Sequence, residues 1–168
     1  MTVVEQNFAD LEAIKQLKAR YFRYVDTKRW TQYRQLFTDD ARFEGTNVTS
    51  SVDDFVASLV ERHAHSVTVH HGHMPEIVLT GATSARGIWA MQDWVEFPAL
   101  IRKGPAAGYF GFVGNGHYEE EYRKEGGEWR IAFMRLTRLK MTPIEQPTKQ
   151  LERVLPSSTM AWLAIASH

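Results

Sequence analysis

Cysteine is absent from the 168 residues. That excludes disulfides, thiolate nucleophiles and cysteine-ligated zinc together, and it suits an intracellular, cytoplasmic protein. Net charge is absent too: 20 basic residues balance 20 acidic ones, so nothing global draws the chain to nucleic acid or to an anionic membrane. No apolar run approaches the roughly 18 residues of a membrane span. The opening MTVVEQNFADLEAI has acidic residues where a signal peptide carries basic ones. There is no HExxH, no nucleotide-binding loop and no lysine Schiff-base signal, so neither metal nor cofactor is expected.

What the chain does contain is core-forming material. Its apolar fraction is 43%, with nine Phe, six Tyr and five Trp, enough for one globular domain with a continuous core. Leu11, Ile14, Leu17, Tyr21, Phe22 and Val25 recur at spacings of three and four, predicting a helix over residues 10–25 with Asp10 as its cap and Asp26 at its far end. TQYRQLF reads as a short second helix, ARFEG as a short strand after a turn at Asp39 and Asp40, and SVDDFVASLVERH as a third helix with Ser51 and Asp54 in capping-box positions.

From Ser66 the period changes to two. SVTVHHGHMPEIVL reads as a strand disturbed at Met74–Pro75, because proline cannot donate to a ladder. TSARGIWAMQDWVEF is the next strand, the glycine-rich AGYFGFVGNGHYEEEYRK the third, and WRIAFMRLTRLKM, after an EGGE turn, alternates as the last. Helices followed by a curved antiparallel sheet make an α+β domain, and helices on its concave face would enclose a cone-shaped cavity. The tail contains Pro147 and Pro156 and ends in the apolar TMAWLAIAS. It is expected to close the pocket or to lie across a partner subunit.

Five histidines fall between residues 63 and 73. Alternation places His70 on one face with Thr68 and Gly72, and His71 and His73 on the other, which argues against one metal centre. His71 and His73 read as sheet- or subunit-surface histidines, and His63 and His65 as solvent-facing residues near a helix end. His70 is either a hydrogen-bonded core histidine or a base. A neutral imidazole takes a proton near physiological pH when a carboxylate fixes its tautomer, and Asp26 can supply that carboxylate or simply end a helix. Tyr21 can donate to a substrate oxygen or pack in the core. Asp93, between Met91 and Val95 on one strand face, must be paired if buried: as acid, as base, as an orienter of His70, or in an ion pair with an arginine. Trp89, Trp94, Tyr109, Phe110 and Phe112 suit a pocket or a core equally. His117 is a second candidate for the cavity wall. Arg86, Arg135 and Arg138 can meet either a substrate carboxylate or neighbouring glutamates.

Three segments, AIKQLKARYFRYVDTKRWTQYRQLFTDDARFEG, VHHGHMPEIVLTGATSARGIWAMQDW and GHYEEEYRKEGGEWRIAFMRLTRL, cover roughly residues 8 to 140. In that order they resemble the SnoaL-like branch of the NTF2-like superfamily. The resemblance implies an NTF2-like cone-shaped fold, with three N-terminal helices packed on a curved antiparallel sheet, over residues 1–145, and a tail over 146–168 packing on the domain or on a partner subunit. The pattern is nearest to that of bile-acid 7-alpha-dehydratases. There a Tyr and an Asp at the end of the first helix correspond to Tyr21 and Asp26, a strand histidine serving as base to His70, and an acidic residue on the next strand to Asp93. Scytalone dehydratase and the hexachlorocyclohexane dehydrochlorinase are similar, the latter through its Asp–His dyad. Phe43 stands where some dehydratases place a pocket tyrosine.

The implied function is a cofactor-independent dehydratase-type lyase acting on a hydrophobic cyclic or polycyclic substrate. His70, Asp26, Tyr21 and Asp93 would do the chemistry, and Trp89, Phe43, Tyr109, Phe112 and His117 would line the pocket. A ketosteroid-isomerase-like or polyketide-cyclase-like enzyme, or a non-catalytic small-molecule-binding or oligomerisation module, are the alternatives. A homo-oligomer, dimer or trimer, is expected.

Overall fold

The structure, a computed structural model, describes residues 2–45 and 51–148. Helix α1 spans Val3–Asp26, seven residues longer at its start than the apolar stripe predicts. A capping box explains the extension: the Glu5 N–H donates to Thr2 Oγ1 at 3.2 Å, and the Thr2 N–H donates to Glu5 Oε2 at 2.7 Å. Asp10 is therefore not a cap. It is buried inside the helix and accepts from Lys124 at 2.7 Å and from the Trp129 indole at 2.9 Å. In the first two turns Val3, Val4 and Phe8 are exposed, although Val4 and Phe8 continue the spacing of four and three that leads to Leu11.

Helix α2 spans Trp30–Arg34 and strand β1 Phe37–Glu44, so Asp39 and Asp40 lie within a strand rather than a turn. Helix α3 covers Val52–His63, with Ser51 Oγ accepting from the Asp54 N–H at 3.0 Å. Strands β2 (Val67–Gly81), β3 (Ser84–Glu96), β4 (Gly111–Glu125) and β5 (Glu128–Ile144) follow. Among the described residues no helix is long and apolar enough to cross a membrane.

The expected cone on an antiparallel sheet needs correction. The five strands run in the order β1-β5-β4-β3-β2, and β1 joins β5 in parallel while the other pairs are antiparallel. The sheet is mixed, and β1 and β2 form two separate edges that do not meet, so it is open rather than curled into a cone. The parallel register arises because the chain after β1 crosses through α3 and β2–β4 before β5 comes alongside. No local period encodes that pairing.

The core lies between the helices and the inner face of this sheet. Ile14, Leu17, Tyr21, Phe22 and Val25 from α1 meet Trp89, Met91, Tyr118, Ile131 and Met134. Phe43 stacks on Phe55 at 4.0 Å between centroids, and Phe37 packs edge-on to both. Each such buried side chain contributes about 1.5–3 kcal/mol relative to exposure. Strand β5 does not alternate cleanly. Its register slips where Ile131 faces Tyr122 and Phe133 faces Glu121, leaving Ala132 as the extra residue of a bulge. The buried positions run Trp129, Ile131 and then Met134. The bulge re-aims the residues up to a second slip at Leu139, and through it Arg138 comes to the inner face.

Candidate functional site

Asp26 is the last residue of α1, above the inner face of β2. One of its carboxylate oxygens lies 2.6 Å from His70 Nδ1, and the other accepts the His70 backbone N–H at 2.8 Å. Two bonds to one residue fix the carboxylate's plane and the ring's rotamer together. Since a carboxylate only accepts, Nδ1 carries the proton in the neutral ring, and Nε2 is then the nitrogen with the lone pair. The ring also lies nearly parallel to Phe22, 6.2 Å between centroids. Gly72 permits this approach, because a Cβ there would stand 2.4 Å from the Phe22 ring.

Nε2 faces Asp93, whose Oδ2 is 3.9 Å away. Asp93 pairs directly across from His70 in the β2–β3 register and is 1% exposed. A buried carboxylate needs compensation, and Arg138 provides it with two parallel bonds of 2.6 Å each. Burial works against the guanidinium charge, but the hydrogen bonds it donates to Asp93, with that carboxylate's charge, outweigh burial and hold Arg138 above its ordinary pKa. Gly114 makes room for the pair: a Cβ there would meet Arg138 Nη1 at 2.0 Å and Asp93 Oδ1 at 2.3 Å. Phe112 completes the wall, its ring 5.3 Å from the Arg138 guanidinium carbon.

A depression of about 380 Å³ opens beside His70, lined by Lys15, Ala19, Phe22, Gly72, Pro75 and Trp89 among others. His71 and His73 also line it, and both are solvent-exposed. Among the described residues no cluster of three or more His, Cys, Asp or Glu could hold a metal ion.

His63 departs from the expectation of a solvent-facing residue. It is 7% exposed, its Nδ1 is 2.8 Å from Ser66 Oγ, and its ring stacks on Phe97 at 6.0 Å. Burial, with the charges of Lys28 and Arg62, pushes its pKa down to about 3, so it stays neutral at physiological pH.

The other predicted residues are distributed over the fold. Tyr21 is 4% exposed and wedged among Phe22, Tyr33, Phe37 and Tyr118; burial raises its pKa well above the usual value. Phe43 is part of the Phe37–Phe55 cluster. Trp89 donates its indole N–H to Tyr122 at 2.8 Å and borders the depression. Tyr109 sits half-buried in the loop before β4. His117 lies opposite Ala90, an odd number of residues from Gly114, and so faces the outer side of the sheet, away from Asp93.

Sequence reasoning missed a second polar assembly farther along the same face. Lys18 and Glu120 form an ion pair with both side chains fully buried. Glu120 also accepts from Tyr122 at 2.5 Å, and the Lys18 ammonium rests 3.6 Å from the Tyr118 ring centroid and 4.0 Å from that of Tyr21. Burial brings the Lys18 pKa down to about 8, against the pull of Glu120. Lys18 interrupts the apolar stripe of α1, one residue after Leu17, and that interruption was the available signal.

Residues 6–135 match the SnoaL-like domain family. Among curated proteins, a probable cyclase, FGR4, of Gibberella zeae is 27% identical over 139 residues, which cover 75% of this chain and 89% of the relative. Among solved structures, a putative scytalone dehydratase from Novosphingobium aromaticivorans superposes with a TM-score of 0.72 at 16% identity, over 91% of this chain and all of that one (100%). A hexachlorocyclohexane dehydrochlorinase, LinA type 2, also gives 0.72 at 16% identity, over 89% and 98%. At such identities the structural likeness establishes a shared fold.

Proposed function

Since the chain belongs to the SnoaL-like domain family of the NTF2-like superfamily, we propose that it is a general-base enzyme of the dehydratase or cyclase kind, acting on a hydrophobic cyclic compound. The observation that carries this reading is the Asp26–His70 pair, in which Asp26 holds Nδ1 and the backbone N–H of His70 while Nε2 faces Asp93 with no hydrogen bond. His70 Nε2 takes a C–H proton next to a carbonyl, and the electron pair moves through the new C–C double bond onto the carbonyl oxygen. When that enolate collapses, a hydroxyl on the β-carbon departs with a proton returned from the imidazolium, so water leaves and an alkene remains. Asp26 stabilises the imidazolium between the two steps.

Asp93 enters this scheme as an orienting charge rather than a second base, because Arg138 already occupies both of its oxygens. Tyr21 is assigned the wall behind Phe22. Cyclisation is the second reading: it begins with the same proton removal, and the fungal relative described as a probable cyclase favours it. A non-catalytic binding module would have no need of a doubly fixed imidazole with a free Nε2.

A panel of cyclic β-hydroxyketones, followed for loss of water by mass spectrometry, tests the proposal. Turnover is expected for the wild type, with a fall of about 10²- to 10⁴-fold in Asp26→Asn and His70→Asn. Equal turnover in wild type and both variants would refute the assignment.

A further inference from the structure

Lys28 holds a backbone conformation that its side chain disfavours. It follows the C-cap of α1 with φ 57, the sole non-glycine residue at positive φ among the described residues. Around it the Arg29 N–H bonds the Tyr24 carbonyl at 2.8 Å and the Lys28 N–H bonds the Val25 carbonyl at 3.3 Å, a helix-ending loop in which this position favours glycine. A lysine there needs a reason outside the loop.

The bend carries the side chain back over the sheet. Lys28 Nζ donates to Thr68 Oγ1 at 2.9 Å, and Thr68 is 5% exposed, one pleat from His70 on the same inner face of β2. The ammonium is 5.9 Å from the Trp30 ring. Among the described residues no carboxylate forms an ion pair with it, because the nearby Asp26 turns both oxygens to His70. Burial lowers its pKa, with Asp26 opposing, and its charge is felt by the buried His63. A half-buried ammonium with spare donors thus stands one pleat of β2 from His70.

We propose that Lys28 is the oxyanion-binding residue of this site, and that its ligands are compounds presenting a carbonyl or enolate oxygen to it while a neighbouring C–H faces His70. This rests on the reading of His70 as the base. As the proton passes to Nε2 and the C–H electron pair shifts charge onto the oxygen, the ammonium donates a hydrogen bond to that oxygen and keeps its own proton throughout.

The probe is 4-nitrophenol, whose phenolate mimics an enolate oxygen on a flat ring and whose absorbance reports ionisation directly. Wild type is expected to bind the phenolate form and to lower the pKa of the bound phenol. Lys28→Gly suits the left-handed backbone, so its melting temperature is expected to hold or rise while phenolate affinity falls about tenfold or more. Lys28→Arg is expected to restore most of it. Equal phenolate affinity in wild type and Lys28→Gly, or wild type binding only neutral phenol or nothing, would overturn the proposal. The two readings fail separately. Lys28-dependent phenolate binding with no hydroxyketone turnover removes the lyase and leaves the anion site, whereas turnover with an unchanged kcat in Lys28→Gly removes the anion site and leaves the lyase.

Discussion

Two polar assemblies bridge helix α1 to the same face of the same sheet, and they differ in how completely they are satisfied. At Lys18 every strong polar partner is internal: ammonium to Glu120, Glu120 to Tyr122, Tyr122 to the Trp89 indole, with aromatic rings closing the surroundings. At His70 the carboxylate and Nδ1 are bound, yet Nε2 faces Asp93 across 3.9 Å with no hydrogen bond. A buried charge that finds all its partners inside the protein holds the fold. A ring nitrogen left without a partner, on a residue that lines a depression, is available to a ligand. The sequence offers Lys18 within the apolar stripe of α1 and Asp26 at its end as polar residues alike, and only their surroundings tell them apart.

That contrast is broken most forcefully by exchanging the damage. Lys18→Met strands the Glu120 carboxylate in the core and is expected to cost about 3–5 kcal/mol of stability, measured by urea unfolding, with activity per folded molecule little changed. His70→Asn should do the reverse, removing turnover with little change in the denaturation midpoint. The double variant Lys18→Met, Glu120→Leu removes the pair together and is expected to recover much of the lost stability, because a buried ion pair replaced by apolar groups is often neutral. If Lys18→Met unfolds no more easily than His70→Asn, the division between a structural and a functional assembly is wrong.

A smaller effect is expected at Gly114. Alanine there collides with both partners of the Asp93–Arg138 pair, which must shift at a cost of about 1–3 kcal/mol. Displacing Asp93 also alters the field at Nε2, so the pH–rate profile of Gly114→Ala should move while that of Gly87→Ala, nearer Tyr122, stays in place. An unmoved profile in both would separate Asp93 from the base.

A further expected effect is one of pH. His63 has a folded-state pKa of about 3 against an ordinary 6.5. Between those values the unfolded chain binds the proton and the folded one does not, so stability rises with pH across this window and is lost as pH falls below about 6.5. The slope attributable to this one group is at most about 1.4 kcal/mol per pH unit. Melting temperatures of wild type and His63→Gln between about pH 4 and 7 should diverge accordingly; parallel curves would mean that His63 is not held neutral.

Helix α3 with its Ser51 cap, the strand faces of β2 and β3, and the disturbance before Pro75 were legible because each follows from a local period or a residue's own backbone chemistry. His70 and His71 pair in turn with Asp93 and Gln92, as alternation requires, but His73 falls in the slip before Pro75, and all three histidines line one depression. The bulge at Ala132 was not legible: nothing in IAFM announces an extra residue, yet it decides that Arg138 turns inward to Asp93. The open mixed sheet, the burial of His63 against Phe97 and the placement of Lys28 over Thr68 all depend on contacts between distant segments. Residues 149–168, on which the expected tail packing falls, lie outside the described residues, as does most of the proposed 146–168 segment; Thr148 alone is seen to meet Glu96, its N–H 2.8 Å from the carboxylate.

The central claim is that Asp26 keeps the proton on Nδ1 of His70 and leaves Nε2 bare. Imidazole nitrogen-15 shifts of His70, assigned by comparison with His70→Asn at neutral pH, read that directly. The account predicts a protonated Nδ1 and an unprotonated Nε2 in the wild type, with the preference lost in Asp26→Ala. A proton found on Nε2 in the wild type would contradict it.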